Sequence, residues 1–117
     1  MILAAVDDLL FSSRIRAAAR QAAVDVRFAR SPEAVLEQVR VHLPVLLLVD
    51  LDCARVRPLE TIAAVKADAV SASVCVVGFV SHVHADLVEA ARAAGADRVM
   101  ARSTFVANLP GLLAGAD

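Results

Sequence analysis

Four aspartates in this chain stand where a carboxylate can do chemistry. Asp50 ends the run Pro44-Val45-Leu46-Leu47-Leu48-Val49, and Asp52 follows two residues later. Asp7 and Asp8 end a shorter run, Ile2-Leu3-Ala4-Ala5-Val6. Carboxylates brought together repel one another unless protons or a cation compensate them. A hard divalent ion such as Mg2+ suits that situation, because it prefers oxygen ligands and keeps several waters. The chemistry open to such a cluster is metal-assisted handling of an anionic group, with one carboxylate as nucleophile. An acid at a single strand end is usually a loop residue facing water. Acids at the ends of two neighbouring strands are a stronger functional signal.

Whether these residues meet depends on the elements that carry them. An apolar run without alternation reads as a strand buried on both faces, the pattern of a central parallel strand, so Asp50 is expected at its carboxyl end. Ile2-to-Val6 gives a second strand, followed by Phe11, Ile15, Ala18, Ala19 and Ala22 at helical spacing. Val24-to-Ala29 alternates apolar and charged residues, as a half-exposed edge strand does. Ser31-Pro32 reads as N-cap and first helical residue, and Pro44 stops that helix.

Pro58 opens a third helix, and Val74-to-Val80 forms a fourth strand in which Cys75 is expected as a small buried hydrophobe. Ser81 is expected to cap the next helix, and Gly95 to end it in a left-handed conformation. Arg98-to-Ala101 gives a fifth strand, after which Pro110-Gly111 implies a last helix that is short or begins at Pro110. The count is (βα)5 in one α/β domain, residues 1–117. A flavodoxin-like doubly wound five-stranded parallel sheet of order 2-1-3-4-5 is expected. That order makes the first and third strands neighbours and brings Asp7, Asp8 and Asp50 to one edge.

Composition removes several classes of function. Twelve basic residues against thirteen acidic ones leave no electrostatic footprint for nucleic acid or an anionic membrane. No apolar run approaches the length of a membrane span, and no basic leader precedes the first strand, so a cytoplasmic protein is expected. Two cysteines make no disulfide framework, and Cys53 beside the acids reads as incidental. Apolar residues make up 59% of the chain, with no Trp or Tyr and only four Phe. The core is thus expected to consist of small and branched aliphatics. His82 and His84, two residues apart, read as exposed side chains at a helix start. Arg14, Arg16, Arg20 and Arg92 read as solvated helix faces. No glycine-rich loop follows the first strand, which disfavours a dinucleotide site.

Val6-Asp7-Asp8, Leu48-Val49-Asp50 and Ala94-Gly95-Ala96-Asp97 together resemble the receiver domain of two-component response regulators, at matching spacing over essentially the whole chain. The resemblance implies a non-enzymatic signalling module in a phosphorelay. Asp50 would be the phosphoacceptor, and Mg2+ would be held by Asp7, Asp8, Asp50 and the backbone carbonyl of Asp52. A histidine kinase or phosphotransfer protein would be the donor and a further protein the output, with the chain a monomer or weak homodimer.

The sequence also departs from that family. The hydroxyl position ending strand 4 falls on Val80 with Ser81 beside it, so Ser81 is either the switch hydroxyl or a helix cap. Arg102-Ser103 replaces the usual Lys-Pro, and Val99 replaces the usual aromatic residue of strand 5. Arginine keeps the charge but presents a planar fork instead of a compact ammonium. A stand-alone atypical receiver is one reading of these residues. A phosphorylation-independent pseudo-receiver serving as a protein-interaction module is a second. A small metal-assisted phosphate enzyme is a third, disfavoured because so short a chain encloses little substrate.

Overall fold

The structure, a computed structural model, describes residues 1–114. The last three residues of the expected 1–117 domain lie outside the described residues. The apolar runs form β1 (Ile2–Ala5), β2 (Val26–Ala29), β3 (Leu46–Asp50), β4 (Cys75–Val80) and β5 (Arg98–Ala101). Between and after them lie α1 (Leu9–Ala22), α2 (Pro32–His42), α3 (Pro58–Ala67), α4 (Ala85–Ala94) and α5 (Arg102–Ala114). All strand pairs are parallel, in the order β2-β1-β3-β4-β5. The expected flavodoxin-like (βα)5 sheet is therefore the observed one, with β2 at an edge.

Period-two alternation divides the core between the two faces of the sheet. Leu3, Leu47, Val49 and Val76 pack with Val35 and Val39 of α2, Ile62 and Val65 of α3 and Ala91 of α4. Ile2, Leu48, Val77 and Met100 pack with Ile15 of α1 and Leu109 and Leu113 of α5. On this second face, three of the four phenylalanines stack. Phe79 and Phe105 lie 4.2 Å apart between ring centroids, and Phe11 lies 4.9 and 5.7 Å from them. Such pairs add about 0.5–1.5 kcal/mol each beyond the area they bury.

Local chemistry sets the element ends. Ser31 accepts a hydrogen bond from the Ala34 N–H and Pro32 follows it, as expected. Three expectations are corrected. Cys75 is exposed, because it is the first residue of β4 and lies at the open lower end of the sheet. The cap of α4 is His84, whose Nδ1 accepts from the Leu87 N–H at 3.3 Å, and not Ser81, because four residues, Ser81 to His84, separate the end of β4 from the start of the helix. The last helix runs from Arg102 to Ala114 straight through Pro110. Pro110 lies on the exposed side, where the carbonyl it leaves unpaired can meet water, while buried Phe105, Leu109 and Leu113 hold the helix down at four-residue spacing.

Below β4 and β5 a single lysine joins four segments. Lys66 Nζ donates to the carbonyl oxygens of Ala72 and Val74 and to Asp97 Oδ2, at 3.3, 2.7 and 2.9 Å. Asp97 also accepts the Val76 N–H. Burial works against the Asp97 charge, yet the Val76 N–H and Lys66 together hold its carboxyl below the ordinary range. Gly95 lies against this lysine at φ +117°, and a Cβ there would stand 2.5 Å from Lys66 Cγ. Gly95→Ala is accordingly expected to lower the stability by about 1–3 kcal/mol in a urea titration; an unchanged midpoint would refute this packing.

Candidate functional site

Asp50 is the last residue of β3 and shares the phase of Leu46 and Leu48, which places it at the top of the α1–α5 face. It is only 3% exposed. Its Oδ1 accepts the Asp52 N–H at 3.0 Å, while Oδ2 lies 3.4 Å from Nη2 of Arg102. The turn beyond it is fixed by the Leu51 N–H donating to the Phe79 carbonyl and by Leu51 lying over Gly78, where a Cβ would crowd it at 3.0 Å. β3 thus delivers the carboxylate and β4 makes room for the bend.

The other acids divide into two groups. Asp8 is the N-cap of α1, its Oδ1 accepting the Phe11 N–H at 3.0 Å, and its charge acts on Asp50. Asp52 Oδ2 accepts the Ser81 N–H at 2.8 Å and lies 3.6 Å from Nη2 of Arg102. Asp7 faces elsewhere: Arg55 lies 3.3 Å from it and Arg30 3.7 Å. The structure therefore brings Asp8, Asp52 and Arg102 to Asp50 and leaves Asp7 with two arginines. Among the described residues, no three His, Cys, Asp or Glu side chains are grouped so as to hold a metal ion.

Arg102 opens α5 directly after β5, which is how it reaches both Asp50 and Asp52. Its guanidinium lies over the ring of Phe11, Cζ to centroid 4.8 Å. Beside it an open cleft of about 560 Å³ is lined by Asp8, Leu10, Phe11, Arg14, Ser81 and Arg102, among others. Ser81 is therefore at the edge of the site, and Cys53, which packs against the α2–α4 face, is not in that lining.

Sequence reasoning missed three participants. Arg30 and Arg55 carry no spacing signal, being remote in sequence from Asp7. Phe11 read only as the first apolar residue of a helix. That it lies four residues before Ile15 and three after a capping acid identifies its backbone place, but not the cation above its ring.

Burial is the largest influence on Asp50, and with the neighbouring charges of Asp52 and Asp8 it pushes the carboxyl above the ordinary range. The Asp52 N–H and Arg102 oppose that rise without cancelling it. An acid whose pKa is raised by folding weakens the native state as the pH climbs from its unfolded value into the folded one. Below that interval the group is protonated in both states and costs nothing.

No protein-family model matches this sequence, and no curated protein does. Solved structures do match the fold. A response regulator from Hahella chejuensis superposes with TM-score 0.85 at 19% identity, covering 96% of this chain and 90% of that one. The fold is that of a response-regulator receiver domain. A chemotaxis response regulator of Vibrio cholerae gives TM-score 0.85 at 14% identity, over 99% of this chain and 97% of that one. The Mn2+-bound form of the response regulator Rcp1 gives 0.75 at 20%, over 97% and 88%. In a receiver fold the carboxyl edge of β1 and β3 is the edge where Asp50 lies, at a switch point of the strand order where α/β sheets hold ligands.

Asp50→Asn removes the buried charge and keeps an acceptor for the Asp52 N–H. It is expected to melt higher than the wild type at pH 7 by circular dichroism. The gap should close as the pH is lowered toward the ordinary carboxyl value of 3.8. A lower melting point at pH 7 would mean that Arg102 outweighs burial.

Proposed function

We propose that this chain is an atypical receiver module that accepts a phosphoryl group on Asp50 and passes the change to another protein. The observation that carries this reading is the buried Asp50 carboxylate at the end of the central strand, facing the cation of Arg102, which itself lines an open cleft. The receiver fold of the similar solved structures supports it. Such a module takes its phosphoryl group from a histidine kinase or a phosphotransfer protein.

The transfer needs an ionised carboxylate with one oxygen held and the other available. Oδ1 is held by the Asp52 N–H, and Oδ2 is the oxygen turned to Arg102. An Asp50 oxygen attacks phosphorus, a P–O bond forms, and the P–N bond of a phosphohistidine breaks. The departing imidazole nitrogen keeps the bonding pair and takes a proton from water. The acyl phosphate replaces a single negative charge by about −1.5 to −2. Arg102 answers that added charge, and Ser81 at the cleft edge offers the hydroxyl.

The donor chemistry here fits Mg2+ in the sparse form that ion adopts, with one or two carboxylates and the rest water or phosphate oxygen. Asp50 and Asp8 would supply carboxylate oxygens and Asp52 its backbone carbonyl. Asp50 is also short of compensating charge, as its raised pKa indicates. Asp7 joins them only by leaving Arg55 and Arg30. Bound there, Mg2+ would neutralise charge on the transferring oxygens.

One observation favours a second reading, the phosphorylation-independent interaction module: Arg102 already links Asp50 and Asp52 within the resting chain. A single experiment separates the two. Incubated with Mg2+ and acetyl phosphate, the wild type is expected to gain one phosphoryl mass that Asp50→Asn does not gain. Arg102→Met is expected to gain it about tenfold more slowly, as loss of a charge-assisted contact implies. Binding of Mg2+ without any mass gain would leave the interaction module as the reading.

A further inference from the structure

Arg102 does not sit as a salt bridge alone would place it. Its Nη2 is 3.4 Å from Asp50 and 3.6 Å from Asp52, both long for charged hydrogen bonds. Its Nε is buried with no hydrogen-bond partner among the described residues. What meets the guanidinium instead is an aromatic face, Phe11, with the Cζ 4.8 Å from the ring centroid. Attraction between a guanidinium and a ring face operates at that distance.

Phe11 is fixed from three sides. Its ring stacks on Phe79 and Phe105, at 4.9 and 5.7 Å between centroids. Its backbone N–H is the donor that Asp8 caps. Phe79 in turn lies opposite Asp50 in the β3–β4 register. A lysine ammonium, compact and strongly hydrated, would not use this platform as a planar guanidinium does. Arginine in place of lysine and an aromatic floor beneath it are two parts of one arrangement. Val99, which replaces the aromatic residue usual in the family the sequence resembles, packs against the opposite face of the sheet.

We propose that Phe11 is a positioning residue for the Asp50 site. Braced by Phe79 and Phe105, its ring holds the Arg102 guanidinium between Asp50 and Asp52, and a phosphoryl group on Asp50 draws Arg102 off Asp52 across that ring. The resulting displacement bears on α1 and α5, the elements the three rings join. The first half concerns the resting protein, and only the second rests on Asp50 being the acceptor.

The test follows the Arg102 Nε–Hε resonance in the full chain, assigned by its loss in Arg102→Lys. In the wild type it is expected upfield of free arginine, in the ring current of Phe11. Phe11→Leu should return it to the ordinary position, with Phe11→Met in its place if the leucine variant unfolds. Phe11→Tyr, which keeps the ring, should restore the upfield shift. A resonance unmoved by loss of the ring overturns the proposal. Uptake of phosphate from acetyl phosphate gives a second readout: Phe11→Leu should slow it about fivefold, the scale of one cation–π contact. The same substitution should add nothing in an Arg102→Met background. Equal slowing in both backgrounds means that the ring acts through packing, which also overturns the proposal. A wild type that takes up no phosphoryl group overturns the acceptor reading, and the resonance then decides the positioning by itself.

Discussion

A carboxylate buried at the end of a central strand is the constraint on which this structure depends. Asp50 has lost nearly all its water, and one backbone N–H and one distant guanidinium are what it receives in return. Desolvation of an acid is compensated only by good charge or hydrogen-bond partners. Here the compensation is partial, and the carboxyl stays above its ordinary range. An under-compensated buried acid is a poor contributor to stability and a good place for a cation or a transferred group.

The surroundings of Asp50 are organised by that shortfall. Asp8 is committed to the start of α1, Asp52 to the backbone after β4, and Arg102 to the start of α5. Each partner therefore belongs to a different element, so a change of charge on Asp50 is felt by three segments at once. The phenylalanine trio beneath Arg102 belongs to α1, β4 and α5 and makes the α1–α5 face stiff where it meets the site. The other face is tied differently, through Lys66 and Asp97 at the lower end of the sheet.

Much of this was legible from residue types. The unbroken run Leu46-to-Val49 announced a central strand, Ser31-Pro32 and Pro58 announced helix starts, and Gly95 a left-handed helix end. These are local signals, each with its own backbone cause. What the residues concealed depends on three-dimensional neighbours. Pro110 lies within a helix because three buried side chains outweigh one lost hydrogen bond. Cys75 is exposed because a strand begins there, which periodicity alone does not reveal. His84 caps α4 although histidine is no preferred cap, and Ser81, the preferred type, lies in the turn before it. In the site, Asp50, Asp8 and Asp52 could be placed from strand order, but the turning of Asp7 toward Arg55 and Arg30 could not, since exposed arginines choose partners by proximity.

Phosphoryl transfer to one particular buried carboxylate is the central claim, and chemical trapping addresses it most directly. Protein treated with acetyl phosphate and Mg2+ is reduced with borohydride, which converts an aspartyl phosphate to homoserine, and the peptides are sequenced by mass spectrometry. Homoserine at position 50 and at no other aspartate is the expected result. Homoserine at position 7, 8 or 52, or none anywhere, would contradict it.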